Sequence, residues 1–285
     1  MTKLTVSPGV FFRYGPTAPA VPLIVDVSRS GREYPTTFRS PASFTDVHDN
    51  VSMYVDELWA DAPAVGASLL YACFPNRFID VNRAETDIDP SLLDGPWPAA
   101  LQPTHYSERG LGLIKRNTRF GKPMHEGKLA VNEIAERVER YYKPYHAELA
   151  SMMEEARRQF GRVWHLSCHC MSAVGAPTHP DKGKPRVDVC LGNQDGKTSS
   201  NEFIEMVRAE FERRGYRVGI NDPYRGAELN SRHGKPAAGC ESILVELNKK
   251  LFMDVDTFRK STGFDGLRSD LRSVLQTLAD RLAQT

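Results

Sequence analysis

The sequence predicts an α/β fold, a mixed and mostly parallel sheet flanked by helices, and three observations predict it. Short apolar runs of strand length recur at 21–27, 163–168, 186–192 and 242–248, as expected of strands buried inside a sheet. Helical periodicity alternates with them, most clearly over 131–160 and 200–214, the pattern of α/β proteins. Polar loops follow the carboxyl ends of several runs, where ligands bind in such folds.

Bulk properties narrow the class. The 285 residues suit one domain over 1–285 with a long loop at about 90–127. The 37 basic and 36 acidic residues nearly cancel and form no basic block, which argues against a nucleic-acid or membrane-surface protein. No apolar run approaches the roughly 20 residues of a membrane span. Met1-Thr2-Lys3-Leu4-Thr5-Val6-Ser7-Pro8 lacks the apolar core of a secretory leader, so a cytoplasmic location is expected. The five cysteines are scattered, with no C-x-x-C pair, and are expected as reduced thiols. In Cys168-His169-Cys170 the two thiols face one side of a strand and the imidazole the other. All three converge on a metal only if the strand has already ended, so the cysteines read as small buried hydrophobes.

Taken in order, residues 1–20 read as irregular, broken by Pro8, Gly15, Pro16 and Pro19. The run 21–27 reads as the first strand, and 28–35 as a polar turn at its carboxyl end. Residues 52–61 are helical in pattern and stop at Pro63. Two short strands are expected at 68–74 and 77–81. The second leads into Asn82-Arg83, where a guanidinium fork could hold a carboxylate or pair at the surface with Asp80 or Glu85. Residues 90–127, rich in Pro and Gly, read as a lid or binding loop. The apolar stripe over 131–160 predicts a long helix with a kink or break at Pro144.

The run 163–168 carries His169 at its end, where a catalytic or metal-binding side chain is expected. A loop at 172–185, a strand at 186–192, a helix at 200–214, a strand at 216–221 and a polar loop at 223–234 follow. The strand 242–248 places one carboxylate, Glu246, among apolar neighbours, a costly arrangement unless the acid is paired or used. A closing helix carries Leu267, Leu271, Val274, Leu278 and Leu282. No P-loop or dinucleotide fingerprint is present.

Val55-Asp56-Glu57-Leu58 with Gly66-Ala67, Ile79-Asp80-Val81-Asn82-Arg83, Tyr142-Lys143-Pro144-Tyr145-His146, Val189-Cys190-Leu191-Gly192, Pro236-Ala237-Ala238-Gly239 and Val245-Glu246-Leu247-Asn248 together resemble the N-formylglutamate amidohydrolase family, from about residue 21 to 254. The resemblance implies a zinc-carboxypeptidase-like fold and a metal-activated water attacking an amide. It further implies that Asn82 and Arg83 grip a substrate carboxylate, that Glu246 is the general base or acid, and that His169 is catalytic as a zinc ligand. The chain departs from the family at Ser28-Arg29-Ser30-Gly31, where members carry P-H-S-G, and at Ser52, where they carry Asp. Ser167 replaces an acid beside His169, and Arg232 takes the place of a His in R-H-Y-G.

Two readings follow. In the first, Asp56 or Glu241 completes a metal site around His169, and the protein is an amidohydrolase on a small carboxylate-bearing amide. In the second, the protein is a metal-free relative in which Arg29, with Ser30, Arg83 and Arg232, binds an anionic ligand. That relative acts as a binding or regulatory subunit, or with altered chemistry.

Overall fold

The computed structural model describes residues 4–177 and 179–284. Met1, Thr2 and Lys3 of the expected leaderless start, Thr178 of the 172–185 loop and Thr285 of the expected 1–285 domain lie outside the described residues. The strands are β1 (Leu4–Ser7), β2 (Phe11–Tyr14), β3 (Leu23–Val27), β4 (Ser68–Ala72), β5 (Val163–Met171), β6 (Val189–Gly192), β7 (Val218–Ile220) and β8 (Cys240–Asn248). They form one sheet in the order β1-β2-β4-β3-β5-β8-β6-β7. Its centre is parallel, β4 to β3 to β5 to β8, as is the β6–β7 pair, while β1–β2, β2–β4 and β6–β8 run antiparallel. The helices are α1 (Phe44–His48), α2 (Val55–Leu58), α3 (His105–Glu108), α4 (Val131–Arg137), α5 (Lys143–Phe160), α6 (Asn201–Glu212), α7 (Glu228–His233) and α8 (Phe264–Leu282). Among the described residues no helix is long and apolar enough to cross a membrane.

The two-residue period of the strands sorts the core into two layers. Leu23, Val25 and Val27 of β3, Trp164, Leu166 and Cys168 of β5, and Ile243, Val245 and Leu247 of β8 pack with α6 and α8. Ile24, Leu70 and Val163 pack instead with α4 and α5, through Ile134, Tyr145, Leu149 and Met152. The central strands carry a polar stripe on positions of opposite parity to the first layer: Asp26, His165, Ser167, His169, Ser242 and Glu246. All six are buried. This stripe is what the fold brings to the site.

Several elements differ from the expectations. Residues 4–14 form the β1–β2 hairpin, turned at Gly9, whose φ of 72° suits glycine. The helix expected at 52–61 shrinks to α2 and a 3-10 turn, Ala62–Val65, that Pro63 opens. Residues 77–81 are not a strand. Phe78, Ile79 and Val81 are buried in the second layer, but the chain folds through turns closed by Phe78 N–H to Pro75 O and Arg83 N–H to Asp80 O. Apolar content reports burial, and here the burial comes without a ladder.

The long helix is broken near Pro144, where a π turn, Val138–Tyr142, joins α4 to α5 and puts the proline in the first turn. The polar loop at 223–234 contains α7. Strand β5 runs three residues beyond the apolar stretch, so His169 lies within it and the flanking thiols face away from the imidazole.

Candidate active site

The carboxyl ends of β5 and β8, the turn at 80–83 and the loops at 104–119 and 222–228 enclose a cavity of about 700 Å³. Glu246, Asn82, Arg83, Arg29, Lys115 and Tyr106 are among its lining residues. Parallel register sets His169 of β5 beside Glu246 of β8.

Glu246 is buried, and its Oε2 has no hydrogen-bond partner among the described residues. Burial pushes its carboxyl up to about 7, against the pull of Arg29, Arg186 and Arg83. His169 is equally buried, and burial with the nearby Arg29 charge holds its imidazole well below the usual range, hence neutral. The backbone N–H of Leu229 donates to Asn82 Oδ1 at 3.1 Å, which turns the amide nitrogen of Asn82 toward His169 Nε2, 3.3 Å away. Nε2 is therefore the acceptor and Nδ1 carries the proton, and Nδ1 has no partner among the described residues. Ser167 Oγ lies 3.0 Å from the same Nε2 and 3.2 Å from the buried Asp26 Oδ2. With one proton to give, the serine donates to Nε2 or to Asp26, and so stands between the imidazole and a carboxylate although its own position lacks the acid.

Among the described residues Arg83 has no carboxylate within ion-pair distance. Its Nε donates to Leu111 O at 3.0 Å and its Nη1 to Asn82 O at 2.7 Å, and its guanidinium lies 3.7 Å from the centre of the Tyr106 ring. Neither bond uses Nη2. The turn carrying it is anchored from α5 and the π turn. Tyr142 O–H donates to Arg83 O at 2.9 Å and His146 Nε2–H to Val81 O at 2.8 Å, on either side of Asn82.

Arg29 faces Asp80 two-pronged, Nε at 2.9 Å from Oδ1 and Nη2 at 2.6 Å from Oδ2. Lys115 Nζ joins the same carboxylate and also donates to Leu111 O and Gly112 O, each at 3.0 Å. Burial alone would raise the Asp80 carboxyl, but Arg29 and Lys115 outweigh it and hold the acid well below the usual range. The surface pairing expected for Arg83 with Asp80 or Glu85 is thus replaced by a buried cluster around Asp80.

Other expected site residues lie elsewhere. Asp56 accepts from Ser30 O–H and from Arg32 Nη2 at 3.1 Å, so neither Asp56 nor Ser30 reaches the cavity. Glu241 accepts from Ser200 N and Oγ at 2.8 and 2.6 Å, at the start of α6. In register it sits beside Trp164, five positions and roughly 16 Å along the strand from His169. Arg232 pairs with Glu228 at 2.7 Å and lines a separate shallow cleft with Lys143, His146 and His233. Ser52 lines the cavity but offers a hydroxyl where a metal would need an acid. Among the described residues no three His, Cys, Asp or Glu side chains are grouped to hold a metal ion. The zinc site implied by the sequence resemblance does not fit the residues present.

Sequence reasoning missed Lys115, Tyr106, Asp26 and Ser167. The alternation His165-x-Ser167-x-His169 signals a polar strand face. Nothing local marks Lys115 or Tyr106, which arrive from the long loop.

A mixed sheet whose central strands end at a cavity lined by a buried carboxyl and arginines defines an α/β protein with a polar, charged pocket at its strand ends. The gene product Atu2144 of Agrobacterium tumefaciens shares this fold, at TM-score 0.64 and 16% identity, over 94% of this chain and 92% of that one. A family model described as N-formylglutamate amidohydrolase matches residues 21–253, and the chain belongs to that family, whose members are hydrolases of carbon–nitrogen amide bonds. The N-formylglutamate amidohydrolase of Ralstonia eutropha JMP134 superposes at TM-score 0.91 with 35% identity, covering 97% of this chain and 99% of that one. The N-formylglutamate deformylase of Pseudomonas putida is 24% identical over 204 residues, 70% of each chain.

Proposed function

We propose that the protein hydrolyses the amide of a small N-formyl or N-acyl amino acid, N-formylglutamate being the first candidate, and that residues 1–285 act as one domain. The observation that carries this reading is Glu246. It is a buried, unpaired carboxyl poised near neutrality, on the floor of a cavity that also offers a carboxylate-binding arginine.

In this reading the free Nη2 of Arg83, its plane fixed by Tyr106, binds the amino acid's carboxylate with Asn82 beside it. Ionised Glu246 takes a proton from water as the water oxygen bonds to the formyl carbon. The carbon–nitrogen bond then breaks, and Glu246 returns the proton to the leaving nitrogen, giving formate and the free amine. His169, neutral and beside Asn82 and Ser167, does not itself line the cavity; it fixes the amide of Asn82, which does. Zinc in related enzymes would activate the water, but Arg29 and Ser52 do not supply its ligands, so no step here passes through it.

The test is turnover of N-formylglutamate, N-formylaspartate and N-acetylglutamate by the purified protein, read as released amine. Release that Glu246→Gln abolishes supports the reading, and no release from any of the three defeats it. The pinned cation at Arg29 favours a second reading, a metal-free subunit that binds or senses an acidic ligand. It predicts saturable glutamate or glutarate binding without turnover.

A further inference from the structure

We propose that the guanidinium of Arg29 is this protein's built-in replacement for a catalytic metal, a fixed cation that takes the developing oxyanion of the substrate. For its catalytic part the inference rests on the amide-hydrolase reading. Arg29 stands just beyond the carboxyl end of β3, beside the strand that carries His169. Asp80 occupies its Nε and Nη2, and neither bond uses Nη1. The side chain lines the cavity and is partly open to it, at 16% exposure. Arg29 is also the charge acting most strongly on both Glu246 and His169.

The cation therefore lines the same cavity as the base and is held in place, because Asp80 is fully buried and braced by Lys115. A donor held in place before charge develops is what transition-state stabilisation needs, since nothing must reorganise when the oxyanion forms. An imidazole at position 29 could give a lone pair to a metal. A guanidinium, always protonated, cannot, and it repels the ion instead. Asp80 explains why the substitution is tolerated, because its carboxylate, although shared with Lys115, supplies the opposite charge that a buried arginine requires. Ser52 fits the same logic. With no metal to coordinate, its position needs no acid, and its hydroxyl instead acts on the Cys170 thiol.

The test has two arms that fail separately. In the first, the wild type and Arg29→His/Ser52→Asp are titrated with cobalt(II) and zinc, read by the cobalt absorption spectrum and by elemental analysis after gel filtration. The expected result is less than about a tenth of an equivalent retained by the wild type and a new cobalt spectrum in the double variant. Near one equivalent of tightly held metal in the wild type overturns the proposal.

In the second arm, calorimetry compares Arg29→Gln with the wild type for glutarate and for a phosphonamidate analogue of N-formylglutamate. Affinity for the analogue should fall about 100-fold, the scale of losing one oxyanion donor, and affinity for glutarate less than about 3-fold. Equal losses for both ligands, or none for the analogue, overturn it. Arg29→Lys, which keeps a charge on Asp80 without the fork, serves if the glutamine variant does not fold. An inactive wild type would defeat the hydrolase reading, while the metal arm would still decide whether Arg29 has displaced the ion.

Discussion

Arg29 and Asp80 lie 51 positions apart, yet they meet through two hydrogen bonds, Nε to Oδ1 and Nη2 to Oδ2, at the base of the cavity. The carboxylate is wholly buried and shared with Lys115, which arrives from the long loop. One acid thus ties together the end of β3, the turn before Asn82 and the 104–119 segment, three of the pieces that line the cavity. Stability and site geometry share this contact.

Asp80→Asn should therefore destabilise the fold strongly. It leaves two buried cations without their common partner, and losing one member of a buried pair costs about 3–5 kcal/mol. Urea denaturation at pH 7 measures it. Lys115→Met in the Asp80→Asn background should recover part of the loss, because it removes one of the stranded charges.

Glu246 sets a pH dependence with a definite sign. An unfolded glutamate titrates near 4.3 and the folded one at about 7, so between these values the folded state holds the proton that the unfolded chain has released. The resulting stability is present below about pH 4 and is lost as pH rises toward 7, by up to about 3 kcal/mol. Glu246→Gln removes this slope, so wild-type and variant stability curves should diverge across pH 4–7. If Glu246 acts as the base, kcat/KM rises with pH through about 7, and the glutamine variant loses about 100-fold or more.

Tyr142 lies outside the cavity; its hydroxyl donates to the carbonyl of Arg83 and accepts from Arg232 Nη2 at 3.2 Å, away from the cavity. Tyr142→Phe removes that anchor without changing the ring. KM for N-formylglutamate is expected to rise about 3- to 10-fold with kcat changed less, since a loosened arginine weakens ground-state and transition-state binding alike. An equal fall in kcat at constant KM would assign Tyr142 a different role.

Asn82 and His169 act as a pair. Because Asn82 Nδ2 selects the acceptor nitrogen of His169, Asn82→Ala and His169→Ala should not be additive in kcat/KM. A double-mutant cycle is expected to show about 1 kcal/mol or more of coupling, beyond the roughly 0.5 kcal/mol scatter of independent sites. Additive losses would mean that each touches the substrate independently.

Most of the sheet was legible in the residues. Apolar runs bounded by turn residues located β3, β4, β5, β6 and β8, and helical periodicity located α5, α6 and α8. The failures have two physical causes. Phe78, Ile79 and Val81 are as apolar as a strand but are buried by packing within turns. The opening hairpin was hidden because Pro8, read as a breaker of order, in fact sits with Gly9 in its turn.

At the site, the sequence by itself determined that an acid, Glu246, and a histidine, His169, stand on central strands, and that Asn82-Arg83 lie close to a buried segment. Side-chain alternation along a strand is a local property, and chemical type is written in each residue. Only the tertiary structure decided that Asp80 belongs to Arg29 and Lys115, that Glu241 caps α6 far from the cavity, and that Ser167 links His169 to Asp26. Those partnerships join residues 35 to 141 positions apart. Charge pairing depends on distance in space, and that distance is set by how the strands register and where the loops return.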